Sequence, residues 1–439
     1  MSHSTFLNRQ AFHLRPDPSR VIVRPFKPAT EPRDLMPTDK SRANHIVARV
    51  QGLDEHETGA LLSDTLENFD GRHRNLLRTF EMRADAMEEV FAGHPAFSRK
   101  QRQLIGAYFM SEYTFEAAAL FNPSIVPHPD QIGTAPGGLR FVLSLRAVGE
   151  GHISSLTFRS GEILADGSVA IDPPARLASM PEASSSPSTD DEALDLAFNA
   201  KSQLSERVIF PVTPAQSNGI EDARFTLFED DGKKTYYATY TAYNGLAIRS
   251  ELLETADFEN FRLTPLRGSA SRNKGMALFP RKIGGKYAMV ARQDNENLYL
   301  IYSDDLYTWD GGSILMAPEY PWEFVQIGNC GSPIELDQGW LLLTHGVGPV
   351  RRYSIGATLL DKHDPSKVLA RSVTPLIRPE PHEREGYVPN VVYTCGAMRH
   401  GDIIVLPYAI SDSYSNFATI SINALLEAMT PVSGTSQST

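Results

Sequence analysis

The sequence predicts an all-β domain, a five-bladed β-propeller, with a helical extension at its N-terminus. Three observations predict it. From about residue 121 onward, short runs rich in β-branched and aromatic residues alternate with turn residues. The runs fall into about five groups, and radial repetition is an all-β arrangement that protects sheet edges. Between about 54 and 120, by contrast, Gly and Pro are scarce and apolar residues recur at helical spacing.

The elements follow in chain order. Residues 1–40 are rich in Pro, Arg and Asp and read as extended chain. Two or three helices follow, one of them near 58–92. Ser98 is placed to cap another, whose apolar positions include Leu104, Ile105, Tyr108, Phe109 and Phe115. No heptad pattern persists, which argues against a coiled coil. Residues 1–120 are therefore an accessory or oligomerisation segment, and 121–430 the β domain. Its clearest strands are Arg140 to Arg146, Tyr236 to Tyr243, Lys286 to Ala291, Leu298 to Tyr302, Gly339 to Thr344 and Ile403 to Tyr408. Asp230-Asp231-Gly232, Gly284-Gly285, Asp310-Gly311-Gly312 and Asp337-Gln338-Gly339 punctuate them. The polar, acidic stretch 181–192 reads as a surface loop.

Composition excludes several classes. The chain has 439 residues and a net charge of −11, which argues against a nucleic-acid binder, because phosphate-backbone recognition needs a basic field. Two cysteines, Cys330 and Cys395, make no disulfide framework and match no metal spacing. The histidines form no His-x-x-x-His pair, so no metal is expected. The first residues lack the apolar core of a signal peptide, and no apolar run approaches ~18 residues. These features predict a cytoplasmic protein that meets no membrane.

The stretch Gly219-Ile-Glu221-Asp222-Ala-Arg224, followed by Tyr240-Thr-Ala-Tyr243, sets an acidic pair beside an arginine and then a polar-aromatic cluster. By itself it reads either as a salt-bridged turn between strands or as a site for a hydroxyl-rich ligand. Four further pieces share its setting: Lys274-Gly-Met-Ala-Leu-Phe-Pro280-Arg281 with Ala291-Arg292; Ser303-Asp-Asp-Leu-Tyr-Thr-Trp309; Gly328-Asn-Cys-Gly-Ser-Pro333 with Gly339-Trp340 and His345-Gly-Val347; and Gly386-Tyr387-Val-Pro-Asn390 with Ser411-Asp412. Taken in order, these five pieces resemble glycoside hydrolase family 130, the mannoside phosphorylases and β-1,2-mannosidases. The chain departs from the family pattern at Ala223 (usually Pro), Arg281 (usually Glu), Gln293 (where His-Arg-Pro usually ends) and Gln326 (usually basic).

The resemblance implies a five-bladed propeller and an inverting reaction. Asp222 is then the acid, protonating the bridging oxygen through a hydroxyl of the bound sugar. Glu221, Arg224, Arg146, Tyr243, Asn390 and Asp412 are the implied sugar-binding residues. Lys274, Arg292 and His345 are the implied phosphate-binding residues, with Arg351 and Arg352 as candidates to offset Gln326. A phosphorylase needs such a cluster because inorganic phosphate is a dianion at neutral pH. A hydrolase needs instead a carboxylate to activate water. The implied activity is phosphorolysis of β-mannosides, β-1,2-linked above all, to α-mannose 1-phosphate, with no cofactor beyond phosphate. A β-1,2-mannosidase and a non-catalytic carbohydrate-binding propeller are the alternatives.

Overall fold

The computed structural model describes residues 6–28, 42–183 and 192–432. Most of the acidic insert predicted at 181–192, and parts of the predicted extended N-terminus, lie outside these residues. The chain divides into two compact units: Met1–Asp17, Glu116–Ala175 and Met180–Thr439 form one, and Pro18–Phe115 with Arg176–Ser179 the other. No helix among the described residues is long and apolar enough to cross a membrane.

The smaller unit is helical: Arg42–Gln51, Glu55–Asn68, Leu76–Asp85, Glu88–Phe91 and Arg99–Tyr108. Ser98 caps the last of these, accepting from the Gln101 N–H while the Gln101 side chain accepts from the Ser98 N–H. Asp54 and Glu57 make the same reciprocal cap for Glu55–Asn68. The single helix predicted near 58–92 is instead three. Gly71 at φ 66° and Asn75 at φ 53° turn the backbone left-handed after Asn68, and Leu76–Asp85 starts afresh. Phe115 is buried but lies beyond the helix that ends at Tyr108. Strand Ile22–Pro25 pairs with Met110–Tyr113 within this unit.

The larger unit is mostly β. Its described strands form antiparallel groups in chain order. The first contains Ala119–Pro127, Leu139–Val148, Ser154–Ile163 and Val169–Ile171. The second contains Gly219–Asp230, Lys233–Tyr243, Ile248–Thr255 and Asn260–Pro265, and one parallel pair, Gly219 with Ser154, joins it to the first. The third runs from Ala277–Leu278 through Tyr287–Ala291 and Leu298–Ser303 to Ser313–Met316. The fourth runs from Gln326–Asn329 through Trp340–Gly348 and Arg352–Leu360 to Val368–Arg371. The fifth contains Val392–Tyr393, Met398–His400, Ile403–Ile410 and Tyr414–Ser421.

The N-terminal strand Leu7–Arg9 completes the fifth group by pairing with Tyr414–Ser421, so residues 6–17 belong to the β unit and not to the accessory segment. Arg9 anchors it by donating to the buried Glu383 carboxylate at 2.9 Å. Glu383 therefore has a structural role.

The cores of the sheets are apolar and aromatic. Phe158 packs edge-on to Phe225 and Phe258 and stacks on Phe261. The buried Tyr240 hydroxyl donates to Glu251 in the same sheet. Charge pairs are buried too: Arg159 Nη2 donates to Glu116 Oε2 at 2.9 Å, with both side chains about 1% exposed or less. Removing one partner of such a pair takes the counter-charge from the other while it stays buried, at a cost of about 3–5 kcal/mol. Glu116→Ala is therefore expected to lower the unfolding free energy by about that amount in denaturant titration. A loss under about 1 kcal/mol would show that water reaches Arg159.

Candidate active site

Two bulges create the centre of the site. In Gly219–Asp230 the pairing register shifts between Glu221 and Arg224, and Asp222 takes φ 53°. In Ala119–Pro127 it shifts between Phe121 and Ser124, and Asn122 takes φ 49°. A bulge re-aims a side chain that regular pleating would direct to one face of the sheet. Here the two meet: Asn122 Nδ2 donates to Asp222 Oδ1 at 2.7 Å. The acidic pair therefore sits within a bulged strand, not in a turn between strands.

Arginines hold the carboxylates from two sides. Arg146, on Leu139–Val148, donates through Nη1 to Asp222 Oδ1 at 3.2 Å and through Nη2 to Glu221 Oε1 at 2.7 Å. Its Nε donates to Ser154 Oγ at 2.9 Å, which fixes the guanidinium plane. Arg224 donates to the Asp222 backbone carbonyl at 2.9 Å and to the Tyr393 hydroxyl at 2.8 Å. Lys274 Nζ lies 3.8 Å from Glu221 Oε2.

These groups line one cavity of about 440 Å³. Its wall includes Asp222, Glu221, Arg224, Arg146, Lys274, Arg292, His345 and Asp412, eight of the ten residues predicted from sequence. Arg351 and Gln326 also line it, whereas Arg352 does not. The structure does not bring Tyr243 or Asn390 to this wall. Tyr243 sits at a hairpin and donates to the Gly245 carbonyl, and Asn390 accepts the Tyr353 N–H through its backbone. Sequence reasoning missed Asn122, Tyr353 and Tyr393. The signal for Asn122 was an Asn-Pro step within a strand run, since Asn tolerates left-handed backbone. Tyr353 and Tyr393 carry no comparable signal, because strand tyrosines usually pack in sheets.

A larger recess of about 980 Å³ beside Leu7–Arg9 contains none of the predicted residues. Among the described residues no cluster of three or more His, Cys, Asp or Glu is placed to hold a metal ion.

The electrostatics of the 440 Å³ cavity are specific. Burial raises the Asp222 carboxyl, but the Arg146, Arg224 and Lys274 charges and the Asn122 hydrogen bond outweigh it and hold the pKa at about 2. Asp412 goes the other way: burial, and then the Asp222 charge, push it up to about 6. Burial, with Arg292 and Arg224 nearby, lowers His345 to about 3, so its ring is neutral at pH 7. His345 Nδ1 lies 3.1 Å from the Asn329 carbonyl and so carries the ring proton. Nε2 is then an acceptor, and it faces the Gln326 amide at 3.3 Å. Gly328 makes room for this ring, since a Cβ there would lie 2.4 Å from His345 Cε1.

The wall thus carries five cations (Arg146, Arg224, Lys274, Arg292 and Arg351) against three carboxylates. Three of its donors, Arg224 Nε, Arg292 Nε and Asn329 Nδ2, are buried without a hydrogen-bond partner. A pocket with surplus positive charge, inside a chain of net charge −11, is electrostatically suited to an anion.

The raised Asp412 pKa has a consequence for stability. Its folded value of about 6 exceeds the unfolded value of about 3.9, so ionisation opposes folding as the pH rises from about 4 through 6. Asp412→Asn should therefore stabilise the protein by about 3 kcal/mol at pH 7 and have little effect at pH 4. Equal effects at both pH values, measured by denaturant unfolding, would contradict this electrostatic account.

Comparison with known proteins places the chain in a family. The family model for glycoside hydrolase family 130, described as beta-1,4-mannooligosaccharide phosphorylase, matches residues 192–431. The chain is similar to a beta-1,2-mannobiose phosphorylase of Listeria innocua, 32% identical over 230 residues that make up 50% of this chain and 63% of the relative. The match thus spans less than two-thirds of that relative's length. A beta-1,2-mannobiose phosphorylase of Thermoanaerobacter sp. is 37% identical over 212 residues, 47% of this chain and 68% of the relative. In structure, the Listeria innocua enzyme solved with beta-1,2-mannobiose aligns over 71% of this chain and 92% of its own, with a TM-score of 0.50 at 22% identity. With the family model covering more than half of its residues, the chain belongs to glycoside hydrolase family 130.

Proposed function

We propose that the protein is an inverting glycoside phosphorylase that cleaves β-mannosides, chiefly β-1,2-linked manno-oligosaccharides, with inorganic phosphate to give α-mannose 1-phosphate. The observation that carries this reading is the net positive cavity, whose wall holds Lys274, Arg292 and Arg351 beside the Asp222 carboxylate. A dianion offsets that surplus charge and takes charge-assisted hydrogen bonds from arginine and lysine, which water does not. The relatives named as beta-1,2-mannobiose phosphorylases support the same substrate class.

In this reading Lys274, Arg292, His345 and Arg351 bind phosphate. Glu221, Arg146, Arg224 and Asp412 position the sugar. Asp222 is the acid. The bond from C1 to the bridging oxygen breaks, and that oxygen takes a proton delivered from Asp222 through a sugar hydroxyl. A phosphate oxygen forms the new bond to C1 on the opposite face, which inverts β to α. The proton of hydrogen phosphate stays on the sugar phosphate as it forms and is lost later to solvent; the neutral His345 Nε2 is suited to accept a hydrogen bond from that P–OH group.

The acid must be protonated to act, yet in the free site Asp222 is held ionised with a pKa of about 2. The arriving dianion offsets the arginine and lysine charges that hold it there, so Asp222 gains its proton only when phosphate is bound. The second reading is hydrolysis, with water in place of phosphate. Gln326 favours it, because an amide there contributes no charge to the cavity wall.

The rest of the proposal concerns architecture. We assign the five antiparallel groups to the blades of a five-bladed propeller, with Leu7–Arg9 completing the last. We assign the helical unit, which exposes Leu61, Leu77, Met82 and Tyr108, to self-association. Dependence on intracellular phosphate, without a further cofactor, suits a cytoplasmic enzyme with two buried free thiols.

Incubation with β-1,2-mannobiose tests the function. The expected product is α-mannose 1-phosphate, formed only when phosphate is present. Free mannose, formed equally well without phosphate, would establish the hydrolase. Asp222→Asn should lower kcat by about 10²–10⁴-fold. Arg292→Ala should raise the KM for phosphate by about 10- to 100-fold, the worth of a charge-assisted hydrogen bond. An unchanged phosphate KM would remove Arg292 from the anion site.

A further inference from the structure

Asp412 sits in a tight turn between Ile403–Ile410 and Tyr414–Ser421. The Ser413 N–H donates to the Ile410 carbonyl at 3.0 Å, and the two central residues, Ser411 and Asp412, take φ 49° and φ 48°. A residue with a Cβ disfavours this left-handed conformation, and turns that need it twice favour Asn and Gly. The Asp412 carboxyl also lies buried beside the Asp222 charge, which works against its ionised form. Such a turn holds its shape only where its surroundings fix it.

The fixing runs outward from Ser411, which is fully buried. Its N–H donates to the Val391 carbonyl at 2.8 Å, and its carbonyl accepts the Val388 N–H at 3.0 Å. Its hydroxyl donates to the Glu383 carbonyl at 2.6 Å. Glu383 is in turn held by its own side chain: Oε2 accepts the Glu380 N–H at 2.9 Å, and Oε1 accepts from Arg9 Nη1 at 2.9 Å. Arg9 grips the same segment twice more, with Nη2 donating to the Arg378 carbonyl at 3.3 Å and standing 3.5 Å from Glu380 Oε1. The Glu383 side chain is 4% exposed, so its ion pair with Arg9 escapes much of the screening that weakens surface pairs. The strand that carries Arg9 pairs with Tyr414–Ser421. Its continuation reaches the foot of the turn, where Leu14 and Ser415 exchange backbone hydrogen bonds at 2.8 and 3.0 Å.

We propose that Arg9 and Glu383 are positioning residues for Asp412: the N-terminal strand clamps segment 378–383 and, through the Ser411 hydroxyl, fixes the turn that presents the Asp412 carboxylate to the cavity. This rests on the reading above in which Asp412 positions the sugar. Arg9 and Glu383 lie outside the cavity wall, so their effect on turnover passes through Asp412. A displacement of about 1 Å at a positioning group can cost on the order of 10²-fold in rate, and a clamp that is loosened but not lost should cost about tenfold.

A double-mutant cycle tests the clamp, read as the disappearance of β-1,2-mannobiose with phosphate present. Arg9→Ala is expected to lower kcat/KM for the disaccharide about tenfold, with Arg9→Lys recovering most of the loss. In an Asp412→Asn background the same Arg9→Ala change should cost less than about twofold, because the carboxylate it positions is already gone. Equal losses in the two backgrounds would overturn the proposal and mark Arg9 as a general structural residue. So would an Arg9→Ala enzyme within about twofold of wild type. Ser411→Ala removes one hydroxyl and leaves the N-terminal strand paired, so it carries the same prediction where Arg9→Ala fails to fold. Amide hydrogen exchange reads the clamp without turnover: either change should speed exchange at Ser411 and Ser413 about tenfold and leave Lys233–Tyr243 within about twofold of wild type. Unchanged exchange at Ser411 and Ser413 would overturn the clamp, whereas a wild type that cleaves no mannoside would overturn the proposed function alone.

Discussion

Asp222 is an ionised carboxylate held inside the protein by arginines, and much of the site follows from that. Arg146 reaches it from the first group of strands, Arg224 caps its backbone from its own strand, and Asn122 donates from a bulge in a third strand. Each partner is itself fixed: Arg146 by Ser154, and Arg224 by Tyr393 from the fifth sheet. The carboxylate thus ties the sheets on which its partners stand. A buried charge without such partners would protonate or admit water.

The same arrangement creates a chemical tension. The charges that make Asp222 bury well also make it a poor acid, with a pKa of about 2. Burial holds His345 neutral at physiological pH, whereas Asp412, pushed up to about 6, stays mostly ionised there. The cavity therefore has surplus positive charge and a carboxylate that waits for it to be offset. In the phosphorylase reading proposed above, an anion that binds at Arg292 relieves both conditions at once, and catalysis and anion binding are linked through a single charge balance.

Much of this was legible in the sequence because it depends on local patterns. Strands such as Tyr236–Tyr243 and Ile403–Tyr408, and the capping box at Ser98, are written in consecutive residues. The acidic pair stood out as charge beside an arginine at the head of a β-rich run, and the basic residues at 274, 292 and 345 through the resemblance of their stretches to the family's motifs. What was not legible depends on contacts between distant segments. Asn122 acts only because two bulges face each other, and Tyr393 only because Arg224 crosses to the fifth sheet. Tyr243 was chosen on its type and falls at a hairpin, where its hydroxyl turns to the Gly245 carbonyl. The break between Asn68 and Leu76 was missed because the apolar spacing continues across it while the backbone turns left-handed. The strand Leu7–Arg9 was read as part of an extended tail, since its partner lies some four hundred residues away.

The most direct measurement is the protonation of Asp222 itself, followed by infrared spectroscopy of the carboxyl groups against pH, with Asp222→Asn to assign the band. Without phosphate, Asp222 should remain ionised down to a pH of about 2. With saturating phosphate its titration should move up by several units, by the offset of neighbouring charge. A titration that is the same with and without phosphate would contradict the account and separate anion binding from the acid.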